Sequence, residues 1–189
     1  LVTGCGLSET RDGGYAEYAR LEARWVIPLP SGLTLRESMI LGTAGFTAAL
    51  ALFRMCENRQ TPDLGPLAVT GATGGVGSLA VDIFSKAGFE VHAISGKPEN
   101  AVYLTAIGAR KVLPRDALAT TRPMETARFG GGLDNVGGPM LAALLAQTAP
   151  AAVFHAFCDS RLGGHWGYSF GSLSSGTDVD AIIDRAMPR

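Results

Sequence analysis

Residues 67–77 read LAVTGATGGVG. The first five, residues 67–71, are apolar or small enough for a strand buried in a parallel sheet. The next six are mostly glycine and other small residues. Residues 78–87 then alternate apolar and polar positions at helical spacing. The stretch is a strand, a glycine turn and a helix. Ala72-x-Gly74-x-x-Gly77 follows the spacing of a dinucleotide fingerprint, with alanine at the first glycine position. Such a turn lets backbone N–H groups approach a diphosphate, and the helix N-terminus adds partial positive charge. The plain alternative is a turn whose glycines only let helix and strand pack closely. The strand before it and the helix after it favour the binding turn.

Downstream, strands and helices keep alternating. Gly88 caps the first helix. Residues 90–95 form a second strand and 99–107 a helix closed by Gly108. Residues 111–113 and 132–136 are further strands. Residues 139–147 make a helix with Pro139 in its first turn, and 151–157 a fifth strand. This rhythm predicts an α/β fold, a Rossmann-type doubly wound parallel sheet with helices on both faces. The pattern weakens after Cys158. Residues 163–176 are rich in glycine and serine, with a strand or short helix expected near 179–183.

Upstream, residues 1–30 read as β structure. Gly13-Gly14 signals a turn, 15–21 suit a strand, and Trp25-Val26-Ile27 is a short strand stopped by Pro28 and Pro30. Thr34-x-x-Glu37 is a capping box, so a helix begins near Leu35. Gly42 interrupts it, and a second helix runs over 43–58. Its Phe46, Leu50 and Phe53 stripe is expected to be core. Residues 62–66 are a connecting loop.

The 189 residues suffice for one sizeable core. With 47% apolar and 17% charged residues, the chain is globular rather than disordered. A net charge of −1 offers no basic surface for nucleic acid. No uninterrupted apolar run reaches spanning length: the densest, 46–53, stops at Arg54, and no membrane contact is expected. Cys5, Cys56 and Cys158 form no CxxC pair, which makes a reducing cytoplasm the default. The opening LVTGCG, strand-like and without a signal peptide or initiator Met, reads as the interior of a longer protein.

GTAGFTAAL at 42–50, followed by VTGATGGVGS at 69–78, resembles the medium-chain dehydrogenase/reductase superfamily. MILGTAGFTA, SGKPENAVYLTAIGA, KVLPRD, LDNVGG and LLAQT narrow the likeness to its acrylyl-CoA reductase group, also called YhdH/YhfP-type quinone oxidoreductases. The likeness runs from residue 1 to about residue 148. It implies a zinc-independent, NADPH-dependent oxidoreductase. In that group a β-rich, GroES-like substrate domain wraps a cofactor domain, and hydride passes to an activated C=C bond such as acrylyl-CoA, or to a quinone-like acceptor. Residues 1–33 would be the end of the substrate domain and 34–189 the NADP-binding domain, lacking its C-terminal part. The resemblance also implies a homodimer. Most substrate-binding and protonating residues would lie outside the chain.

Carried over by position, Thr73, Gly74, Gly75, Val76 and Gly77 match the family's diphosphate turn. Ser95, Gly96 and Lys97 match the segment that holds the adenosine 2′-phosphate. Arg115 matches the arginine of VLPRD, which reaches the same phosphate. Thr43 and Thr47 fall on the loop and helix facing the nicotinamide half. Arg161 falls on the loop after the fifth strand, where the family has an apolar residue.

Each assignment has a plainer counterpart. Lys97 alone would be an ordinary solvated lysine. Its place just past the second strand is where an NAD enzyme carries an acid for the ribose hydroxyls, and residues 95–98 contain none. Thr43 and Thr47 also read as a helix cap and a helix-interior threonine. His92, mid-strand, reads as packed. His155 and His165 have no partner at ligand spacing, and zinc-dependent relatives place a cysteine where this chain has Thr43. The short-chain dehydrogenase pattern also fits the glycine turn, but no tyrosine here has a lysine four residues on. Two functional classes remain: an NADPH-dependent reductase of enoyl-CoA or quinone-like acceptors, and a non-catalytic NADPH-binding or assembly module.

Overall fold

The computed structural model describes residues 1–120, 122, 124–157 and 167–170. They divide into two compact units, Leu1–Phe46 and Thr47–Arg189.

The larger unit is built on a six-stranded sheet. Its strands are β1 (Leu67–Thr70), β2 (Val91–Ile94), β3 (Ala109–Leu113), β4 (Phe129–Asp134), β5 (Thr148–Phe157) and β6 (Gly167–Phe170), in the order β3-β2-β1-β4-β5-β6. The first five pair in parallel, as the alternating pattern predicts. β6 is antiparallel to β5, which the glycine- and serine-rich sequence there did not suggest. The strand order reverses beside β1, with β2 on one side and β4 on the other. In sheets of this kind the crevice at that reversal is where ligands bind.

Successive strand residues serve opposite faces. Leu67 and Val69 of β1 join Val91 and Ala93 of β2 in one core, with Ala80, Val81 and Phe84 of helix α2 (Gly75–Lys86) and Leu104 of α3 (Ala101–Ala106). Ala68 and Ile94 face the other way, against Leu141, Leu144 and Leu145 of α4 (Gly138–Ala146) and Phe154 of β5. Burying a side chain of Phe84's size contributes about 1.5–3 kcal/mol. β1 and β2 are buried along their whole length, so a parallel-sheet assignment needs no alternating pattern there.

β4 begins at Phe129, three residues before the predicted start, because Gly130, Gly131 and Gly132 are all in the strand. Glycine is a poor strand former, but neighbours crowd these positions. A Cβ on Gly131 would lie 2.8 Å from the Val153 carbonyl and 2.6 Å from Gln60 Oε1.

Helix α1 (Leu35–Glu57) starts at the predicted capping box. Thr34 N donates to Glu37 Oε2 at 2.8 Å and Glu37 N to Thr34 Oγ1 at 3.2 Å. The Thr34 hydroxyl and N–H hold the Glu37 carboxyl below its ordinary range. Gly42, at φ 49° and ψ −153°, breaks the helix where the sequence places the interruption. The core face is not the expected one. Ala48, Ala51 and Met55 are buried, whereas Phe46 and Phe53 are more than half exposed and Leu50 is half-buried. Ala48, Ala51 and Met55 share one core with Leu67 and Val69 of β1, Leu133 of β4 and Val153 of β5, so the face of small residues and methionine is the one that meets the sheet. Taken as one helix, Leu35–Glu57 is long and apolar enough to cross a membrane, with a mean hydropathy of 1.6. The break at Gly42 and the buried Ala48, Ala51 and Met55 mark its second half as a core helix.

In the smaller unit, the expected strands over 15–21 and 25–27 do not form. Tyr15 and Tyr18 are fully exposed, and residues 23–25 make a 3₁₀ turn. Fragments of pairing remain: Leu1 N donates to Ile27 O at 2.7 Å and Ile27 N to Leu1 O at 2.8 Å, and Leu7 and Arg11 form an isolated bridge. β propensity describes fitness for a pleated, half-buried surface, and among the described residues no neighbouring strand supplies one. The segment near 179–183 and Arg161 lie outside the described residues.

Candidate cofactor site

β1 ends at Thr70, and Gly71 turns the chain with φ 58°. A side chain there would be strained, and its Cβ would come 3.3 Å from Val136 Cγ2. Gly74 N donates to Gly71 O at 2.9 Å, which closes the turn, and α2 follows with Gly74 at its N-cap. Gly74 has no side chain to cap that N-terminus, and among the described residues no side chain accepts from its first-turn N–H groups. Gly74 and Gly75 are exposed, while Thr73 and Val76 are half-buried. Gly77 is buried, and its role is packing: a Cβ would strike the Gly71 carbonyl oxygen and sit 2.8 Å from Ala72 Cα. Of the two readings of the glycines, packing therefore accounts for Gly77. The open surface at Gly74 and Gly75 is left for a ligand.

Beyond β2, Ser95 is buried and its N–H donates to Leu113 O at 3.0 Å. Its Oγ accepts the Lys97 N–H at 3.0 Å, which shapes the bend that carries Gly96 and Lys97 outward. Arg115 opens the 3₁₀ turn Arg115–Leu118 just after β3. The fold brings it back over Gly96, where a Cβ would lie 2.8 Å from Arg115 Nε and 3.1 Å from Cζ. Residues nearly twenty apart in sequence thus meet at one edge. Among the described residues neither Lys97 nor Arg115 is in an ion pair. Two exposed cations, a backbone free of Cβ and a seryl hydroxyl suit a phosphate monoester.

Thr43 belongs to the smaller unit, where its Oγ1 lies 2.9 Å from Thr3 Oγ1. Thr47 is half-buried on α1 in the larger unit. His92 is packed, as expected, with Nε2 2.8 Å from Glu90 Oε1 and its ring edge-on to Phe129. That contact holds the Glu90 carboxyl below its ordinary range. Among the described residues no cluster of His, Cys, Asp and Glu could hold a metal ion.

A further group, to which no sequence motif gave a role, lies at the end of β4. Asp134 is fully buried. Thr70 Oγ1 donates to its Oδ1 at 2.6 Å, and Gly137 N donates to its Oδ2 at 2.6 Å. Asn135 N donates to Thr70 Oγ1 at 2.9 Å, and Asn135 Nδ2 to the Thr70 carbonyl at 2.9 Å. Burial pushes the Asp134 carboxyl above its ordinary range, while the Thr70 hydroxyl and the Gly137 N–H pull the other way. A signal existed in LDNVGG, a carboxylate and an amide at the end of a strand next to Thr70. Only the strand order makes them neighbours.

No protein-family model matches the chain. The chain is 46% identical over 149 residues to acrylyl-CoA reductase AcuI of Ruegeria pomeroyi, a match covering 78% of this chain and 45% of that protein. The yhdH oxidoreductase of Salmonella enterica, solved in complex with NADP, superposes with a TM-score of 0.79 at 42% identity, covering 82% of this chain and 48% of that one. Bacillus subtilis yhfP, solved with NAD bound, gives a TM-score of 0.75 at 42% identity, covering 78% and 45%. The likeness to the acrylyl-CoA reductase and YhfP-type group of the medium-chain dehydrogenase/reductases, first read from the motifs, holds in both sequence and fold. The chain spans about half the length of the relatives it matches.

Proposed function

We propose that this chain is the NADPH-binding part of a zinc-independent oxidoreductase that reduces an activated C=C bond, such as that of acrylyl-CoA, or a quinone-like acceptor. NADPH supplies the hydride. Thr73, Gly74, Gly75, Val76 and Gly77 form the turn that receives the diphosphate. Ser95, Gly96, Lys97 and Arg115 take the adenosine 2′-phosphate. Thr43, Thr47 and Arg161 belong to the nicotinamide side. Residues 1–33 close a GroES-like substrate domain, and 34–189 form the cofactor domain.

The observation that carries this reading is Arg115 folded over Gly96 beside Lys97, with no carboxylate among residues 95–98. NAD enzymes place an acid at that position for the ribose hydroxyls. AcuI and the NADP-bound yhdH protein supply the reaction class and the cofactor by likeness.

The whole protein would work in the cytoplasm as a homodimer. The β3 edge carries exposed Arg110 and Lys111, charges that discourage strand addition, which leaves the opposite edge of the sheet for pairing. The test is NADPH oxidation by the full-length protein with acrylyl-CoA, run beside a quinone. Turnover with either, and none by the 189-residue chain alone, is the expected result. No turnover with either acceptor overturns the proposed reaction. Light scattering on the full-length protein should give a dimer, and monomer alone refutes the pairing.

A further inference from the structure

We infer that Thr70, Asp134 and Asn135 form a clasp that holds the phosphate turn in its binding shape, with Thr70 the positioning residue. The inference rests on the NADPH reading above and names residues to which that reading gives no role.

Backbone pairing between β1 and β4 runs through Leu67↔Gly131, Ala68↔Gly132 and Val69↔Leu133 and then stops. At the next step, side chains take over. The Thr70 hydroxyl accepts the Asn135 N–H, so its own proton is committed to Asp134 Oδ1. The Asn135 side-chain amide satisfies the Thr70 carbonyl, which has left the ladder. Asp134 Oδ2 accepts the Gly137 N–H and so fixes the turn between β4 and α4. That turn in turn abuts Gly71, the first residue of the phosphate turn: a Cβ on Gly71 would sit 3.3 Å from Val136 Cγ2 and 3.4 Å from Asn135 Cβ. The two turns bordering the strand-order reversal are therefore held together by side-chain bonds converging on Thr70. A structural pin could sit anywhere along the strands. This one sits at the residue where the phosphate turn begins.

The clasp acts on the diphosphate turn and not on the Ser95–Lys97 and Arg115 edge, and this separates two ligands. NADPH uses both places. Adenosine 2′-monophosphate has a 2′-phosphate and no 5′-phosphate, so it uses only the second. Thr70→Val keeps the volume but leaves the Asn135 N–H and Asp134 Oδ1 unpaired, which typically costs enough to weaken a dependent ligand about tenfold or more. Both ligands are titrated calorimetrically into the full-length protein and its variants, with circular dichroism as the check on folding. Thr70→Val should weaken NADPH about tenfold or more while leaving adenosine 2′-monophosphate within about twofold. Thr70→Ser should restore NADPH binding. Asn135→Ala, at a half-buried position, removes only the amide bond to Thr70 and guards against a Thr70 variant that does not fold. It should show the same split between ligands in smaller degree. Unchanged NADPH affinity in both folded variants, or equal losses for both ligands, overturns the clasp. A parent chain that binds neither ligand overturns the cofactor reading itself, and the clasp falls with it.

Discussion

Arg115 lies across the backbone of Gly96, so close that a Cβ on Gly96 would come 2.8 Å from the guanidinium Nε. Glycine there leaves room for the arginine to reach the same edge as Lys97. A charge-assisted contact contributes about 1.5–3 kcal/mol. Two partly screened contacts should therefore favour NADPH over NADH by about two orders of magnitude. Paired titrations check this. Lys97→Ala/Arg115→Ala should lose NADPH affinity and keep its NADH affinity, and the preference should shrink in high salt because both groups are exposed. Equal parental affinity for the two cofactors would remove the 2′-phosphate role from these residues.

The two ends of the glycine turn should respond differently to the same substitution. Gly74 is exposed, has φ −79°, and a Cβ there meets only the Gly71 carbonyl at 3.2 Å. Gly74→Val should abolish NADPH binding in a folded protein. Gly77→Val drives a side chain into the backbone of Gly71 and Ala72, and should cost about 1–3 kcal/mol or more of stability. Thermal melts and NADPH titrations separate the two effects. A Gly74→Val protein with parental affinity refutes the diphosphate assignment.

Gly131→Ala should destabilise the sheet although alanine is a small residue. The new methyl would lie 2.8 Å from the Val153 carbonyl and 2.6 Å from Gln60 Oε1, whose bond to Val153 N at 3.1 Å lies where the β4–β5 register shifts. The expected loss is about 1–3 kcal/mol, several degrees in melting temperature. An unchanged melting temperature would show that β4 and β5 separate more easily than their packing implies.

Acid should remove a contribution that His155 makes to the fold. Burial, with a smaller contribution from the Arg54 charge, holds the His155 imidazole down to about 4. In the unfolded chain it titrates near its ordinary value of about 6.5. Between those values the unfolded state binds the extra proton. The His155 contribution is therefore complete above about 6.5 and is lost as pH falls toward 4. Urea midpoints should fall across that window, and the His155 ring resonances should stay those of the neutral form down to about pH 5. A His155 titration near 6.5 contradicts this account.

Much of this protein is local. A strand, a glycine turn and a helix in succession, repeated with capping and turn residues in place, are enough to specify the parallel sheet and the helices on both faces. The Thr34–Glu37 box and the Gly42 break follow from neighbours in sequence and form as read. The absence of an acid after the second strand is likewise visible in the letters alone. Tertiary structure decided what depends on a distant partner. Phe53 outweighs Ala48 and Ala51 in apolar area, yet the two alanines and Met55 are the α1 residues buried in the sheet's core. Residues 15–21 have strand-forming side chains, but among the described residues no strand lies beside them, and they form none. Three consecutive glycines can form a strand because backbone and side chains close on them and leave no room for a Cβ. Thr70 and Asp134 are 64 residues apart, and only the placement of β4 against β1 makes their side chains partners. Periodicity and turn chemistry act over a few residues. Strand order and the choice of buried face are settled by contacts that the chain makes only once it is folded.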